Sequence, residues 1–495
     1  MTTPRQVVRS FFYTLGSGYT ARLASVGLTL LIRRVLGPAV FDEMIYPLVI
    51  FVMLSSLSQF GLLQALLHYQ DRADEFVDTH FTLNLLVSAA VLLVTCAVGL
   101  ALWRWRPGSA WACTVICIFG GLRFVKNLTT TSEALMRRGF QFGRLSIFHG
   151  GGTVLALTAT LAAGLAGWGR WSLVLGGWTT YAIFSAVYVV IFASGVWWTR
   201  PPSLRLRLDP VWVRRFAGYG VWLWLGWVLQ NFVWYYDKLV LGAVVGVREL
   251  TFYENAWWLM QLPTAVISHI ILSYTIALYA RYRDQRQRLG EMYTTMLSIV
   301  VRCSAPVALV IALHAERVVG LMGERWAPSA AIVVWLALFG FVRPLLDEGY
   351  GLLWASGDTK AGALVMGGQA AVAVALVPLA AHLDGTRGVA LAMGAIALLG
   401  ALGLAWRVRR YVSVPWIQVF AAPVAGLATG AALYAAAGEF TAGWPPLLGL
   451  GASAALVAVA YGAALVLLER RRMVALAQEA LTAMRRGRQD EDGDA

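Results

Sequence analysis

Residues Trp222 to Gln261 read WLWLGWVLQNFVWYYDKLVLGAVVGVRELTFYENAWWLMQ. Asp237, Lys238 and Glu254 lie inside sequence that is otherwise apolar and rich in tryptophan. An ionisable side chain at membrane depth costs about 2.5 to 3.5 kcal/mol on insertion scales, so such residues are rarely accidental. The stretch therefore reads as a pair of membrane helices carrying functional groups, and the same pattern of apolar runs repeats on both sides of it.

The whole chain is 59% hydrophobic and 13% charged, with a mean hydropathy of +0.66. Soluble domains carry about 25% charged residues, and a soluble fold of this composition would leave too much apolar surface uncovered. The apolar runs are about 20 residues long, the length a helix needs to cross a hydrocarbon core of about 30 Å. The chain is read as an all-α polytopic membrane protein with about 14 transmembrane helices. They lie near 10–32, 44–67, 81–103, 109–130, 146–166, 171–194, 216–245, 250–279, 293–314, 328–355, 361–382, 388–406, 414–436 and 443–468. The ninth and tenth are those least expected to be single straight helices.

Its first ten residues run straight into an apolar segment longer than a signal-peptide core and without a small-residue cleavage pattern, so this segment is read as the first span. The net charge of +14 does not point to nucleic acid, because the basic residues form no single patch interleaved with aromatics. They fall in alternate loops, more densely on the side of the amino terminus, and the positive-inside rule then places both termini in the cytoplasm. The acidic segment QDRADEFVD (70–78) runs against this only weakly, since acidic residues count little in that rule.

The longest cytoplasmic loops are WWTRPPSLRLRLDPVWVRR (197–215) and RYRDQRQRLGEMY (281–293). Prolines punctuate the first of these and divide the chain into two six-span halves plus two further spans. The expected units are 1–200, 201–410, 411–468 and a cytoplasmic tail at 469–495. In that tail RRRMVALAQEALTAMRRGR suits a helix on an anionic surface, and QDEDGDA suits disorder. RVLGPAVFDEMIYPL in the first half weakly echoes LVLGAVVGVRELTFYENAWWL in the second, and paired halves around a midplane site are a common transporter plan.

Helical periodicity sorts the polar groups by face. Trp224, Trp227, Asn231, Trp234, Tyr235 and Lys238 form one stripe, with Asp237 turned about 100° away. That stripe suits either sugar rings with an anionic group or ordinary packing with interfacial tryptophans. Glu254 shares a face with Trp257, Trp258, Gln261, Ser268 and His269, and reads as a cation or proton site or as a hydrated carboxylate near the interface. Arg22 sits near the middle of the first span beside Gly18, Tyr19, Ser25 and Thr29, too deep to snorkel. It should face a wet cavity or a carboxylate, and a guanidinium there suits a phosphate or pyrophosphate. Arg302 and Arg343 extend the cationic set, although Arg343 and Asp347 are spaced to neutralise each other. Arg123 and Lys126 end the fourth span as interface anchors. Cys96, Cys113, Cys117 and Cys303 fall in apolar runs and read as small packing residues. No hydrolase, zinc or phosphate-loop motif is present, and neither metal nor cofactor is implied.

Several motifs, in order, carry a family resemblance: RRVLGPAVF with SLSQFGLLQALLHYQ, RRGFQFGRL, YYDKLVLGAVVG with FYENAW, and LMGERWAPSA. Over residues 8–360 the chain resembles the polysaccharide transporter family of the multidrug, oligosaccharidyl-lipid and polysaccharide exporter superfamily. Asp42 and Thr251 depart from it, standing where glycine is usual. The resemblance implies two pseudo-symmetric bundles of six helices around a central cavity that opens alternately to each side, with two extra helices at the carboxyl end. It implies a multi-pass protein of the bacterial cytoplasmic (inner) membrane. Arg22 matches by position an arginine of the cationic cavity in related lipid II flippases, and Asp237 is a family-typical acid expected to be structural.

The implied activity is that of a flippase for a polyprenyl-pyrophosphate-linked oligosaccharide or a related polysaccharide precursor. Its expected partners are that glycan, membrane lipids, and the glycosyltransferases and polymerase of the same pathway. Expected substrate contacts are Arg22, Lys238, Arg302, Arg343, Asn231, Trp227 and Trp234, with Glu254 and Asp347 as ion-coupling candidates. Cation-coupled drug efflux is an alternative that demands an acidic cavity. A membrane glycan polymerase or ligase is another, though enzymes of that class resemble one another in a large external loop and every external gap here is short. A scaffold for cytoplasmic glycosyltransferases is a third, and it leaves Arg22 unexplained.

Overall fold

The computed structural model describes residues 4–58, 62, 73–105, 108–138, 144–145, 147–193, 205–265, 275, 278–279, 281–437, 444 and 448–469, with side chains from residue 20 onward except those of Ala73, Asp74, Arg137, Arg138, Ile147, Phe192, Ala193, Ala217, Tyr219 and Ala437. The basic helix and acidic end expected at 470–495, and Ser268 and His269, lie outside the described residues, as do the side chains of Gly18 and Tyr19.

Among the described residues every regular element is helical. The first six spans are α1 (Pro4–Leu36), α2 (Pro38–Ser56), α3 (Ala73–Trp105), α4 (Ala110–Asn127), α5 (Gly152–Leu165) and α6 (Thr180–Ala193). A short helix, Thr130–Arg138, follows α4, and π-helical turns at Ile147–Gly151 and Ser172–Thr179 lead into α5 and α6. The second six begin with α7 (Pro210–Val244), α8 (Val247–Pro263) and α9 (Arg286–Leu313). They continue through α10 (Ser329–Trp335), α11 (Ala337–Ala355) and α12 (Thr359–Val408). α13 (Trp416–Ala437) and α14 (Leu448–Glu469) are the last described helices.

Local chemistry sets the boundaries. Gly37 has φ +68, a conformation that favours glycine, and Pro38 opens α2 with a preset helical φ. Gly246, at φ +129, makes the corresponding tight turn between α7 and α8. Asp209 caps α7 by accepting the Val211 N–H at 2.9 Å, and Pro210 follows at the first helical position. α9 continues as one helix through Pro306, whereas the tenth span breaks between α10 and α11 with a bend of 51°.

α12 contains 50 residues, which as a straight helix would reach about 75 Å. Its two ends nevertheless meet, because Arg407 Nη2 lies 2.7 Å from Asp358 Oδ2. Gln369 Nε2 also donates to the Ile396 carbonyl at 3.1 Å. Non-helical Asp384 and Gly385, the latter at φ 54, turn the chain, so α12 is a hairpin of two antiparallel spans as the apolar runs 361–382 and 388–406 predict.

By length and composition, nine helices among the described residues can cross a membrane, or ten when α10 and α11 count as one bent span. α12 contributes two of the crossings, and the more polar α1, α7 and α8 add to them, in agreement with about fourteen spans. Leu23, Leu93, Leu383 and Leu467 are 61–80% exposed, an apolar exterior that only a bilayer can cover. The molecule is an all-α multi-pass membrane protein built from two six-helix bundles and two additional helices.

The cores largely separate by half. Met44, Phe51, Val115, Phe119 and Val174 form one cluster in the first bundle. A larger one gathers α7, α8, α10, α11 and α12, and Ile45 of α2 joins it. α2 packs along α7 and α8, where Gly242 is obligatory because a Cβ there would lie 2.7 Å from the Tyr46 ring. Among the described residues several ties cross between the halves, two of them at this seam. Arg248 Nη1 sits 2.7 Å from Asp42 Oδ2, and Trp224 Nε1 donates to the Leu57 carbonyl at 3.1 Å.

Candidate functional site

Arg22 is half-buried on α1, and its Nη1 donates to the backbone carbonyl of Ala265 in the opposite half. The hydroxyls on its face are tied locally, Ser25 to the Ala21 carbonyl and Thr29 to the Ser25 carbonyl, each at 2.7 Å. Arg22 therefore sits at the boundary between the two bundles.

On α7 the expected stripe divides. Trp227 stacks on Trp354 of α11 with centroids 5.6 Å apart, and Asn231 Nδ2 donates back to the Trp227 carbonyl at 2.9 Å. The Trp234 ring lies 4.1 Å below the Arg343 guanidinium. Lys238 is fully enclosed rather than displayed. Its Nζ donates to the Trp234 carbonyl at 2.6 Å and lies 3.5 Å from Glu254 Oε2 and 3.7 Å from Asp237 Oδ1. It also stands 3.8 Å over the Trp257 ring, a desolvated cation–π contact.

Asp237, the off-stripe acid, completes this knot by accepting the Tyr253 hydroxyl at 2.6 Å and the Lys238 N–H at 2.8 Å. The 100° between Asp237 and Lys238 thus does not separate their environments, because the flexible lysine stem bends its ammonium back towards the carboxylates.

Arg343 pairs with Asp347 one turn along α11, and both are buried. Arg302 is directed elsewhere: its Nε donates to Glu469 at 3.0 Å, which clasps α9 to α14. Arg22, Arg302 and the Lys238 knot therefore belong to three separate settings.

The sequence reading left other charges unassigned. Arg33, at the end of α1, is 7% exposed and is held by aromatic rings, with its guanidinium 4.9 Å from Trp258, 5.3 Å from Phe41 and 5.5 Å from Trp326. Its Nη1 donates to Asn255 at 2.5 Å, and its backbone carbonyl accepts the Trp326 indole N–H at 2.9 Å. Nε of Arg33 is buried without a partner. The residue lines a cavity of about 440 Å³ in the first bundle, between α1, α2, α4, α5 and the turn into α6.

Glu133 is a second buried centre. It accepts Thr129 at 2.5 Å and Lys126 at 3.0 Å, and lies 3.4 Å from His149 on the π-turn before α5. Lys126 is thus paired rather than a free interface anchor. Glu348, fully buried, accepts the Tyr279 hydroxyl at 2.9 Å. The four expected packing cysteines are free, and among the described residues no group of three or more histidines, cysteines or acids is placed to hold a metal.

The family described as "Polysaccharide biosynthesis protein" matches residues 31–331. The lipopolysaccharide biosynthesis protein WzxC of Escherichia coli (strain K12) is 22% identical over 331 residues, 65% of this chain and 64% of that protein. The teichuronic acid biosynthesis protein TuaB of Bacillus subtilis (strain 168) is 21% identical over 122 residues, 24% of this chain and 25% of that protein. The chain thus spans less than two thirds of the length of either relative. Among solved structures, the lipid II flippase MurJ in an inward closed conformation aligns with a TM-score of 0.72 at 10% identity, covering 93% of this chain and 99% of that one. An inward-facing multidrug resistance MATE family transporter of the MOP superfamily aligns with a TM-score of 0.60 at 13% identity, covering 81% of this chain and 94% of that one. These likenesses establish the fold, and with more than half of its length matched the chain belongs to the polysaccharide biosynthesis protein family.

Proposed function

We propose that the protein is a flippase that moves a polyprenyl-pyrophosphate-linked oligosaccharide, or a related polysaccharide precursor, from the inner to the outer leaflet of the bacterial cytoplasmic membrane. The observation that carries this reading is the position of Arg22, a guanidinium in mid-span on one bundle that donates to a backbone carbonyl of the other. Two bundles with largely separate cores can move against each other, and a cation at their boundary then changes partners with the movement. A phosphate is the natural exchange partner, since guanidinium grips it through parallel charge-assisted hydrogen bonds. The glycan head crosses between the bundles while the isoprenoid tail remains in the bilayer. Trp227, Asn231 and Trp234 supply sugar-facing surface, and for Lys238, Arg343 or Arg302 to serve as a supporting cation its ion pair with Asp237 and Glu254, with Asp347 or with Glu469 has to open.

Glu254 is the coupling candidate. It lies at the edge of the Lys238 knot with its side chain 26% exposed, so proton or cation uptake there competes with Lys238 for the same carboxylate. Asp347 is the second candidate and exchanges through Arg343. The residue ranges 1–200, 201–410 and 411–468 are the units that we take to move, with both termini in the cytoplasm and pathway glycosyltransferases and polymerase as neighbours. The reading is of a transporter and not an enzyme.

Arg22→Ala is expected to abolish leaflet transfer at unchanged expression, and Arg22→Lys to retain part of it, because a lysine keeps the charge but loses the two-pronged grip. Full activity of Arg22→Ala would contradict the assignment. Cation-coupled drug efflux instead predicts changed drug resistance on deletion of the protein, with no effect on glycan export.

A further inference from the structure

The cavity of the first bundle holds about 440 Å³, within the range of about 300–1,000 Å³ typical of small-molecule sites. Ile32, Leu48, Phe119, Leu157, Leu173 and Trp178 make its wall apolar. Three threonines also line it, but Thr29, Thr153 and Thr160 donate their hydroxyl protons to carbonyls one turn back at 2.7, 2.7 and 2.8 Å. They therefore present little free donor capacity.

The Tyr181 hydroxyl, also on this wall, lies 3.4 Å from His149 Nδ1, which leaves Arg33 as the exception. No carboxylate of the described residues comes within 4 Å of it, and Glu254, which attracts it from farther away, is shared with Lys238 at 3.5 Å. The three rings and Asn255 leave the buried Nε without a partner. A buried charge whose counter-ion is out of contact and shared with another cation remains costly, and aromatic faces offset that only in part, by about 0.5–2 kcal/mol each. What this cavity lacks is an anion at one end and an apolar body in the rest.

We propose that the first-bundle cavity binds an amphiphilic phosphate, with the phosphate oxygens on the Arg33 guanidinium and the apolar chain in the cavity. Two sources share this chemistry, an isoprenoid phosphate and an anionic bilayer phospholipid. If the occupant is the isoprenoid, the site refines the proposed function by giving the carrier lipid a resting place apart from Arg22, and in that respect it rests on that reading.

The test measures binding to the purified full-length protein in detergent, by its thermal stabilisation. Four probes are used: farnesyl phosphate, farnesol, inorganic pyrophosphate and phosphatidic acid. Farnesyl phosphate should bind about ten- to a hundredfold tighter than farnesol, the range given by hydrogen bonds to a charged group. Pyrophosphate alone should not stabilise the protein, because it leaves the apolar wall unfilled. Arg33→Gln should reduce the preference for farnesyl phosphate over farnesol to near unity. Should that variant fail to fold, Ala156→Leu, which fills the cavity and leaves Arg33 in place, should weaken both apolar probes. Equal binding of farnesyl phosphate and farnesol to the unaltered protein, or unchanged binding in both variants, overturns the proposal.

Displacement of farnesyl phosphate by phosphatidic acid supports the site and assigns it to a bilayer lipid, whereas its failure to displace assigns it to the isoprenoid. Leaflet transfer that persists while farnesyl phosphate fails to bind would remove this site and leave the flippase reading standing. The converse result would remove the flippase reading and leave the site.

Discussion

Lys238 shows what a single residue in this chain has to satisfy. It is fully buried, and its charge is balanced by two carboxylates, a carbonyl and an indole face. Lys238→Met should therefore leave Asp237 and Glu254 facing each other uncompensated, at a cost of about 3–5 kcal/mol, the range for a broken buried pair. Asp237→Asn should cost less, because its one amide oxygen still accepts the Lys238 N–H while its NH2 donates to the Tyr253 hydroxyl, which in the wild type donates to the second carboxylate oxygen. Thermal unfolding in detergent ranks the two, and equal midpoints would contradict this account of the knot.

Asp358 offers a second residue-level expectation, at the mouth of the α12 hairpin. Burial acts to raise its carboxyl pKa, but hydrogen bonds from Tyr411, Arg407 and the Ala361 N–H outweigh burial and hold it below the ordinary value. A depressed folded-state pKa gives stability that is present above the unfolded value, about 3.9 for aspartate, and lost as pH falls through the folded one. The difference in stability between the wild type and Asp358→Asn should thus be flat from neutral pH to about pH 5 and shrink only below about pH 4. A difference that shrinks between pH 8 and 6 would assign the clasp to another group.

Single residues were legible where they broke a pattern. Arg22 interrupts an apolar run, and Arg343 and Asp347 stand four apart. Arg33 was not, because a basic residue at the end of a span is also what topology requires, and only the fold brings Trp258 and Trp326 around it from distant helices. Glu133 and Glu348 were hidden by their neighbours, in polar sequence beside Arg137 and next to Asp347 respectively.

At the scale of elements, apolar runs marked the spans well because the bilayer imposes both length and composition. The hairpin of α12 was legible from the break near Asp384 and Gly385. The π-helical turns were not, since they differ from α-helix in hydrogen-bond register and not in composition. One of them determines a tight crossing: a Cβ at Gly176 would lie 2.4 Å from the Thr160 Cα, whereas at Gly177 it would lie 3.1 Å from a movable threonine hydroxyl. Gly176→Val should accordingly abolish accumulation of folded protein, with Gly177→Ala giving at least half the wild-type yield. Fluorescence-detected size-exclusion profiles distinguish the two, and a normal Gly176→Val profile would refute the close packing of α5 on the Ser172–Thr179 turn.

For the molecule as a whole, the proposed flippase requires one bundle to move against the other. Asp42 and Arg248 join the two corresponding turns after α1 and α7, with side chains 25% and 50% exposed, so the pair itself contributes little stability. Its place across the seam matters more. A short thiol-cleavable bifunctional cross-linker between Asp42→Cys and Arg248→Cys, in a background without the four native cysteines, should stop transfer, and a reductant should restore it. Transfer through the cross-linked protein would mean that this seam need not part.

The central claim is tested most directly by purified protein reconstituted into vesicles with a polyprenyl-pyrophosphate-linked oligosaccharide in one leaflet, following the glycan's exposure to an external lectin over time. The account predicts exposure far faster than in protein-free vesicles, and none above that background with Arg22→Ala. Exposure no faster with the wild-type protein than without it, across the glycans of its own pathway and with an ion gradient imposed in either direction, would contradict it.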